Sequence, residues 1–267
     1  MNIVVCMKQV PDTETKIRLK EGNGGIQTDG VKWIINPYCE FAVEEALRIR
    51  ERNGGQGTVT LVCMGPDRAV ESIRTALAMG VDKAIHLNDP LFEGSDNFGV
   101  AKILARAIQT IPHDIILCGK QAVDDDASQV PQILAEQLNI PHVMVVEKME
   151  VDVANKKVTT SRRIEGGAKE VLEVPLPAVF GADKGMNEPR YASLPGIMKA
   201  KSKEVKKVTA ADLGLKPEEI GVAAAKVKIQ AYSLPPERQA GKKIEGGDPA
   251  QVAHELAKWL REEARVI

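Results

Sequence analysis

The sequence is short of the features that usually declare a function. It has no excess of one charge: 36 Lys and Arg against 37 Asp and Glu leave a net charge of -1 over 267 residues. The whole-molecule field therefore gives no reason to expect nucleic acid or an acidic membrane as the principal partner, and any basic patch is local. The four cysteines, Cys6, Cys39, Cys63 and Cys118, form no CxxC or CxxH pair, and three of them sit in or at the end of apolar, strand-like runs. Buried thiols in a reducing cytosol fit that placement better than metal ligands or disulfides, so no metal site is expected. No run approaches the ~18 consecutive apolar residues of a membrane helix. The opening MNIVVCMKQV has no basic region ahead of a long apolar core; it reads as a strand and not a signal peptide, and the expected compartment is cytoplasmic.

Familiar chemical signatures are missing as well. The first loop lacks GxGxxG, which disfavours a Rossmann dinucleotide site, and neither GxxxxGK[ST] nor an SGGxDS-like pyrophosphate loop occurs. His86, His113, His142 and His254 are isolated, with no neighbouring cysteine or carboxylate pattern. No nucleophile stands beside a base, so no catalytic residue and no enzyme active site is expected.

What is present is an alternation. Apolar runs at Ile3 to Met7, Val59 to Cys63, Lys83 to Leu87 and Asp114 to Leu117 are separated by stretches of helical periodicity. That order predicts an α/β fold, a parallel twisted sheet with crossover helices, Rossmann-like and able to bind an adenine nucleotide. Asn36-Pro37 reads as an N-cap and first helical residue, with Tyr38, Phe41, Ala42, Ala46 and Ile49 as the stripe behind it. Val70, Ile73 and Leu77, ending at Gly80, predict a second helix; Val100 to Ile111 predicts a third with a core-facing stripe. Ser128 to Leu138 predicts a fourth, capped by Ser128, with Pro131 in its first turn. After Pro141 the pattern turns strand-rich, which predicts extra edge strands or a hairpin. From Asn187 the core-like periodicity fades: a basic run, a short helix near Ala210 to Leu213 and an amphipathic helix after Asp248 follow, with Val252, Leu256, Trp259 and Leu260 as its stripe. So few apolar residues do not fold alone, which predicts an extended C-terminal arm wrapping a partner. The expected division is residues 1–186 as the α/β domain, 187–207 as a recognition loop and basic run, and 208–267 as the arm.

In an open parallel sheet, ligands bind beyond the carboxyl ends of the strands, where loops enter helix N-termini. The loops to inspect are Cys6 to Asp12, Met64 to Asp67 and Gly119 to Gln129, with the helix opening at Asn36 as a fourth wall. The third is the most informative. Its glycine permits close backbone approach, and three consecutive aspartates suit a monophosphate or ribose hydroxyls better than a triphosphate. A solvated acidic loop capping a helix is the competing reading of the same residues.

The stretch from Asn187 to Lys201, NEPRYASLPGIMKAK, closely resembles the recognition loop of electron-transfer flavoprotein beta subunits. Val10 to Thr13, Asn36 to Ala46, Arg74 to Gly80 and Gly119 to Gln129 resemble the same family in the same order, so the likeness spans essentially the whole chain. The resemblance implies a heterodimer for electron transport, linked to fatty acid oxidation, whose alpha subunit holds most of the FAD. The beta subunit is expected to lend a wall to the flavin and to bury an AMP of its own, or a second FAD in the bifurcating branch. Val10 to Thr13 resembles that branch; Asp124 to Asp126 and Asn187 to Tyr191 resemble the AMP-binding members. Thr13 stands where relatives often carry an aromatic beside the flavin.

By the family pattern, nucleotide contacts fall on Cys6, Asn36, Pro37, Tyr38, Cys39 and Met64, and on the loop Gly119, Lys120, Gln121, Ala122, Val123, Asp124, Asp125, Asp126, Ala127, Ser128, Gln129 and Val130. Partner contacts fall on Arg190, Tyr191, Leu194, Pro195, Ile197, Met198 and Lys199, with Leu194 as an anchor for an acyl-CoA dehydrogenase and a membrane quinone reductase as electron acceptor. Without the resemblance, Leu194 would read as a leucine folded back on its own domain. Lys199, Lys201, Lys203, Lys206 and Lys207 form a run that is either solvated or steers an acidic partner. A stand-alone nucleotide-binding regulatory module is the reading from another class, and the long arm argues against it.

Overall fold

The computed structural model describes residues 1–237 and 240–267. In chain order the strands and helices are Asn2–Met7 (β1), Gln9–Pro11 (β2), Trp33–Ile35 (β3), Pro37–Arg52 (α1), Thr58–Met64 (β4), Ala69–Met79 (α2), Lys83–Leu87 (β5), Asn97–Ile108 (α3) and Ile115–Gly119 (β6). Val130–Leu138 (α4), His142–Asp152 (β7), Lys157–Arg163 (β8), Lys169–Pro175 (β9) and Ala178–Ala182 (β10) follow. Leu194–Ala200 (α5), Val205–Val208 (β11), Gly221–Ala224 (α6) and Pro249–Glu262 (α7) complete the order.

The four expected strands are β1, β4, β5 and β6, and they pair in parallel within a sheet of order β11-β5-β4-β1-β6-β10-β7-β8-β9. A strand covered on both faces reads as a continuous apolar run, and Ile3, Val4 and Val5 of β1 are all buried. Alternate residues point to opposite faces. Ile3 and Val5 join α1 and α2 in one core, while Val4 and Cys6 join α3 and α4 in the other. From β1 the chain steps through α1 and α2 to β4 and β5, then returns over the other face through α3 to β6, on the opposite side of β1. Between β1 and β6 lies the switch point where loops diverge and a cleft opens.

Several expectations change in detail. The strand-rich stretch after Pro141 does supply the outer antiparallel strands β8 and β9. Its last part, β10, instead runs parallel between β6 and β7, inside the sheet. Ser128 is not the cap of α4. Its φ is +51°, its hydroxyl donates to the Lys120 carbonyl at 2.9 Å, and Gln129 occupies the cap position. Pro131 does fall in the first turn of α4.

The basic run is not simply solvated, because Val205–Val208 adds a parallel edge strand beside β5, with Val208 buried and Lys206 and Lys207 exposed. Residues 1–17 and 27–230 form one compact unit.

The second unit comprises residues 18–26 and 231–267, of which Arg238 and Gln239 lie outside the described residues. Within it α7 begins as expected at Asp248, whose carboxylate accepts from the Ala250 amide at 3.1 Å. Lys242 pairs with Glu263 and lies over the Trp259 ring. No residue of α7 is buried, although Val252, Leu256, Trp259 and Leu260 are spaced as one apolar stripe.

Candidate functional site

The cleft at the switch point is bounded by the ends of β1, β4 and β6 and by the starts of α1, α3 and α4, and holds about 790 Å³ of space including its open mouth. Cys6, Met64, Val100, Leu104 and Cys118 give it apolar walls; Lys8, Asn36, Gln121, Asp125, Ser128 and Gln129 supply the polar groups.

Asn36 organises one side. Its backbone amide donates to Lys8 O (2.9 Å), and its buried side chain does not cap α1. Instead Nδ2 donates to Gln121 O at 2.9 Å and to Cys39 Sγ at 3.3 Å, while Oδ1 accepts from the Val123 amide at 3.1 Å. One residue, through its backbone and side chain together, thus joins the end of β1, the start of α1 and the loop after β6. A buried amide satisfied at both ends fixes that loop far better than a solvated one could.

Gly119 permits the same approach. A Cβ there would lie 2.8 Å from Tyr38 Cβ and 2.9 Å from the Cys39 amide nitrogen. Lys120 turns away to the end of β10, where its ammonium meets the buried Asp183 carboxylate at 2.9 Å. The acidity of the loop is largely absorbed internally. Lys8 Nζ donates to Asp124 at 2.8 Å and to Asp125 at 3.1 Å, and Gln121 donates to Asp126.

Beyond these carboxylates the loop leads into α4. Among the described residues the backbone amides of Ser128, Gln129 and Val130 donate to no protein acceptor, although all three residues line the cleft. Free amides at the positive end of a helix match a phosphate, and the apolar walls match a flat ring. These residues therefore fit a nucleoside monophosphate, or the corresponding end of a dinucleotide. Burial pushes the Cys39 thiol up. Hydrogen bonding with Cys6, then burial, pushes Cys118 well above the usual thiol range, and burial lifts Cys63 to about 12. All three stay protonated at neutral pH, and among the described residues no cluster could hold a metal ion.

Of the residues expected to bind a nucleotide, the structure brings Cys6, Asn36, Cys39, Met64, Gly119, Gln121, Ala122, Asp125, Ala127, Ser128, Gln129 and Val130 to the cleft wall. Pro37, Tyr38, Lys120, Val123, Asp124 and Asp126 are chain neighbours that do not line it. Met7, Lys8, Asn97, Val100, Leu104, Cys118 and Pro131 line it as well. Lys8 lies in a loop already marked for inspection, and Asn97 opens the helix that follows β5, so the strand-end rule reaches both. Val100 and Leu104 were hidden in what reads as a core stripe.

A second region carries the residues expected to bind a partner. Arg190 is engaged within the domain: Nε meets Glu44 at 2.8 Å, Nη1 meets Glu51 at 2.6 Å, and its amide donates to Glu44 at 3.2 Å. Asn187 Nδ2 donates to Phe41 O and to Glu45, and Arg48 donates to Glu188 O. These contacts lay residues 187–190 along α1 and account for two buried glutamates on its surface. Beyond them the chain turns outward. Tyr191 is 99%, Leu194 79% and Met198 74% exposed, so Leu194 is not folded back on its own domain.

Fold and cleft together define a doubly wound α/β protein with a cleft at its switch point. Residues 24–213 match the electron transfer flavoprotein domain. The chain is 42% identical to the electron transfer flavoprotein subunit beta of Bacillus subtilis, over all of both chains. It is 43% identical to that of Syntrophomonas wolfei, over all of this chain and 98% of the relative, and 40% identical to that of Mus musculus, over all of this chain and 99% of the relative. The chain belongs to the electron transfer flavoprotein family, on the beta-subunit side. The family consists of flavin-associated electron carriers rather than catalytic enzymes. Among the described residues no helix is long and apolar enough to cross a membrane.

Proposed function

We propose that this chain is the cytoplasmic beta subunit of a heterodimer in which an alpha subunit holds most of one FAD, and that its own cleft binds AMP as a structural ligand. The observation that supports the nucleotide is that Ser128, Gln129 and Val130, whose backbone amides donate to no acceptor among the described residues, line a cleft that also has apolar walls. Among the residues expected at the nucleotide, Asn36 and Gly119 hold the wall in shape while Cys6, Cys39 and Met64 offer apolar surface to the base. The FAD, when bound, would supply the electron-accepting chemistry. This chain's residues position and dock.

Docking falls to the exposed face of α5 and the residues before it: Tyr191, Leu194, Pro195, Ile197, Met198 and Lys199. An acyl-CoA dehydrogenase-type flavoenzyme is the donor and a membrane quinone reductase the acceptor. The exposure of Leu194 and Met198 supports this, since a hydrophobic pair standing clear of its own fold is the usual form of an interface anchor. Arg190 enters as the residue that lays the segment on α1, its donors being committed to Glu44 and Glu51.

Denaturing the purified complex and separating the released nucleotides tests the cleft. AMP and FAD in near-equal amounts is the expected result. Two FAD per complex with no AMP would overturn it and establish the bifurcating arrangement.

A further inference from the structure

The docking helix α5 has only seven residues, too few to hold a helix by itself. Its exposed face carries Leu194, Ile197 and Met198; its inner face carries Gly196 and the buried Ala200. Gly196 lies against the end of α2 so closely that a Cβ would stand 2.4 Å from Ala78 O. Two cations then close the junction from opposite sides. Arg74, on α2, donates through Nη1 to Ala200 O at 2.6 Å and to Lys203 O at 2.8 Å, at the C-terminal end of α5. Lys203, just past α5, donates through Nζ to Leu77 O at 2.9 Å and to Val81 O at 2.5 Å, at the C-terminal end of α2.

Each helix thus caps the other's negative end with a positive charge, where such a charge is most favourable. Burial holds the Lys203 ammonium below its ordinary range. Among the described residues no carboxylate accepts from it; its hydrogen bonds go to backbone carbonyls.

We infer that Arg74 and Lys203 are positioning residues for docking: by reciprocal capping they hold α5 at a fixed angle on α2, so that Leu194 and Met198 meet a partner already ordered. The inference rests on the docking reading of α5 and adds two residues that lie behind the interface. A preset anchor spares the ordering of a side chain and its helix on binding, and its loss is worth about a fivefold fall in affinity.

The test uses the whole alpha-beta complex as electron acceptor for an acyl-CoA dehydrogenase, with Leu194→Ala, Lys203→Met, Lys203→Arg and the double variant Leu194→Ala/Lys203→Met. Lys203→Met is expected to raise the KM for the flavoprotein about fivefold with kcat within twofold, FAD content unchanged. Lys203→Arg, which keeps donors for both carbonyls, is expected to restore it. In the double variant, Lys203→Met should add little to Leu194→Ala, because positioning acts only through the anchor. If Leu194→Ala raises KM and Lys203→Met does not, or if the two effects add in full, the positioning role is wrong. If Leu194→Ala itself leaves KM unchanged, the docking reading fails and takes the inference with it. Thermal unfolding of each complex identifies a variant that merely fails to fold, in which case Arg74→Lys replaces it and faces the same criteria.

Discussion

Gly119 sits where the end of β6 passes against the first turn of α1, and no other residue fits there without moving backbone. Gly119→Ala would place its methyl group within 2.9 Å of Tyr38 Cβ and the Cys39 amide, both part of a helix start that cannot give way cheaply. Overpacking of this kind costs about 1–3 kcal/mol. The urea midpoint of the alpha-beta complex should fall accordingly, and an unchanged midpoint would mean that the contact is softer than the geometry implies. At this scale the sequence was legible for one kind of residue. Glycine after a strand and Asn-Pro before a helix mark backbone geometry, and both turned out to frame the cleft. It was not legible for Asn36 as a staple, since its partners Gln121 and Val123 lie far along the chain, nor for Ser128. A serine before a helix suggests a cap, yet its left-handed backbone sends the hydroxyl back to Lys120.

Among elements, the junction of residues 187–190 with α1 depends on charge. Burial alone would raise the Glu44 carboxyl, but hydrogen bonds from Arg190 and Arg48 outweigh it and hold Glu44 below its ordinary value. Bonds from Arg190 likewise lower Glu51. A carboxyl whose folded value is depressed contributes stability that is present above its unfolded value, about 4.3, and is lost as the pH falls through the folded one. Proteolysis of the segment from Asn187 to Lys201 should therefore be slow and constant from pH 7 to 5 and accelerate below about pH 4. Acceleration already between pH 7 and 6 would point to another group. The strand order explains what sequence periodicity missed here. Alternating elements predict a parallel sheet, but nothing local states that β10 slots between β6 and β7. The lysines of Val205-Lys206-Lys207-Val208 disguise an edge strand, although charged outward residues are a common protection of a sheet edge.

The whole molecule presents one unit with two buried cores and a second unit whose longest helix buries nothing. An amphipathic helix with an apolar stripe of Val252, Leu256, Trp259 and Leu260 needs a surface to cover it, and the proposed cover is an alpha subunit. The central claim is that this chain completes a flavin carrier and does not hold the flavin alone. The most direct measurement is the visible spectrum of the chain purified by itself and of the chain co-purified with its alpha subunit. The expected result is a colourless, aggregation-prone chain by itself and a yellow complex that bleaches when an acyl-CoA dehydrogenase and its substrate are added. Stoichiometric FAD retained by this chain alone, or a yellow complex that the dehydrogenase cannot bleach, would contradict it.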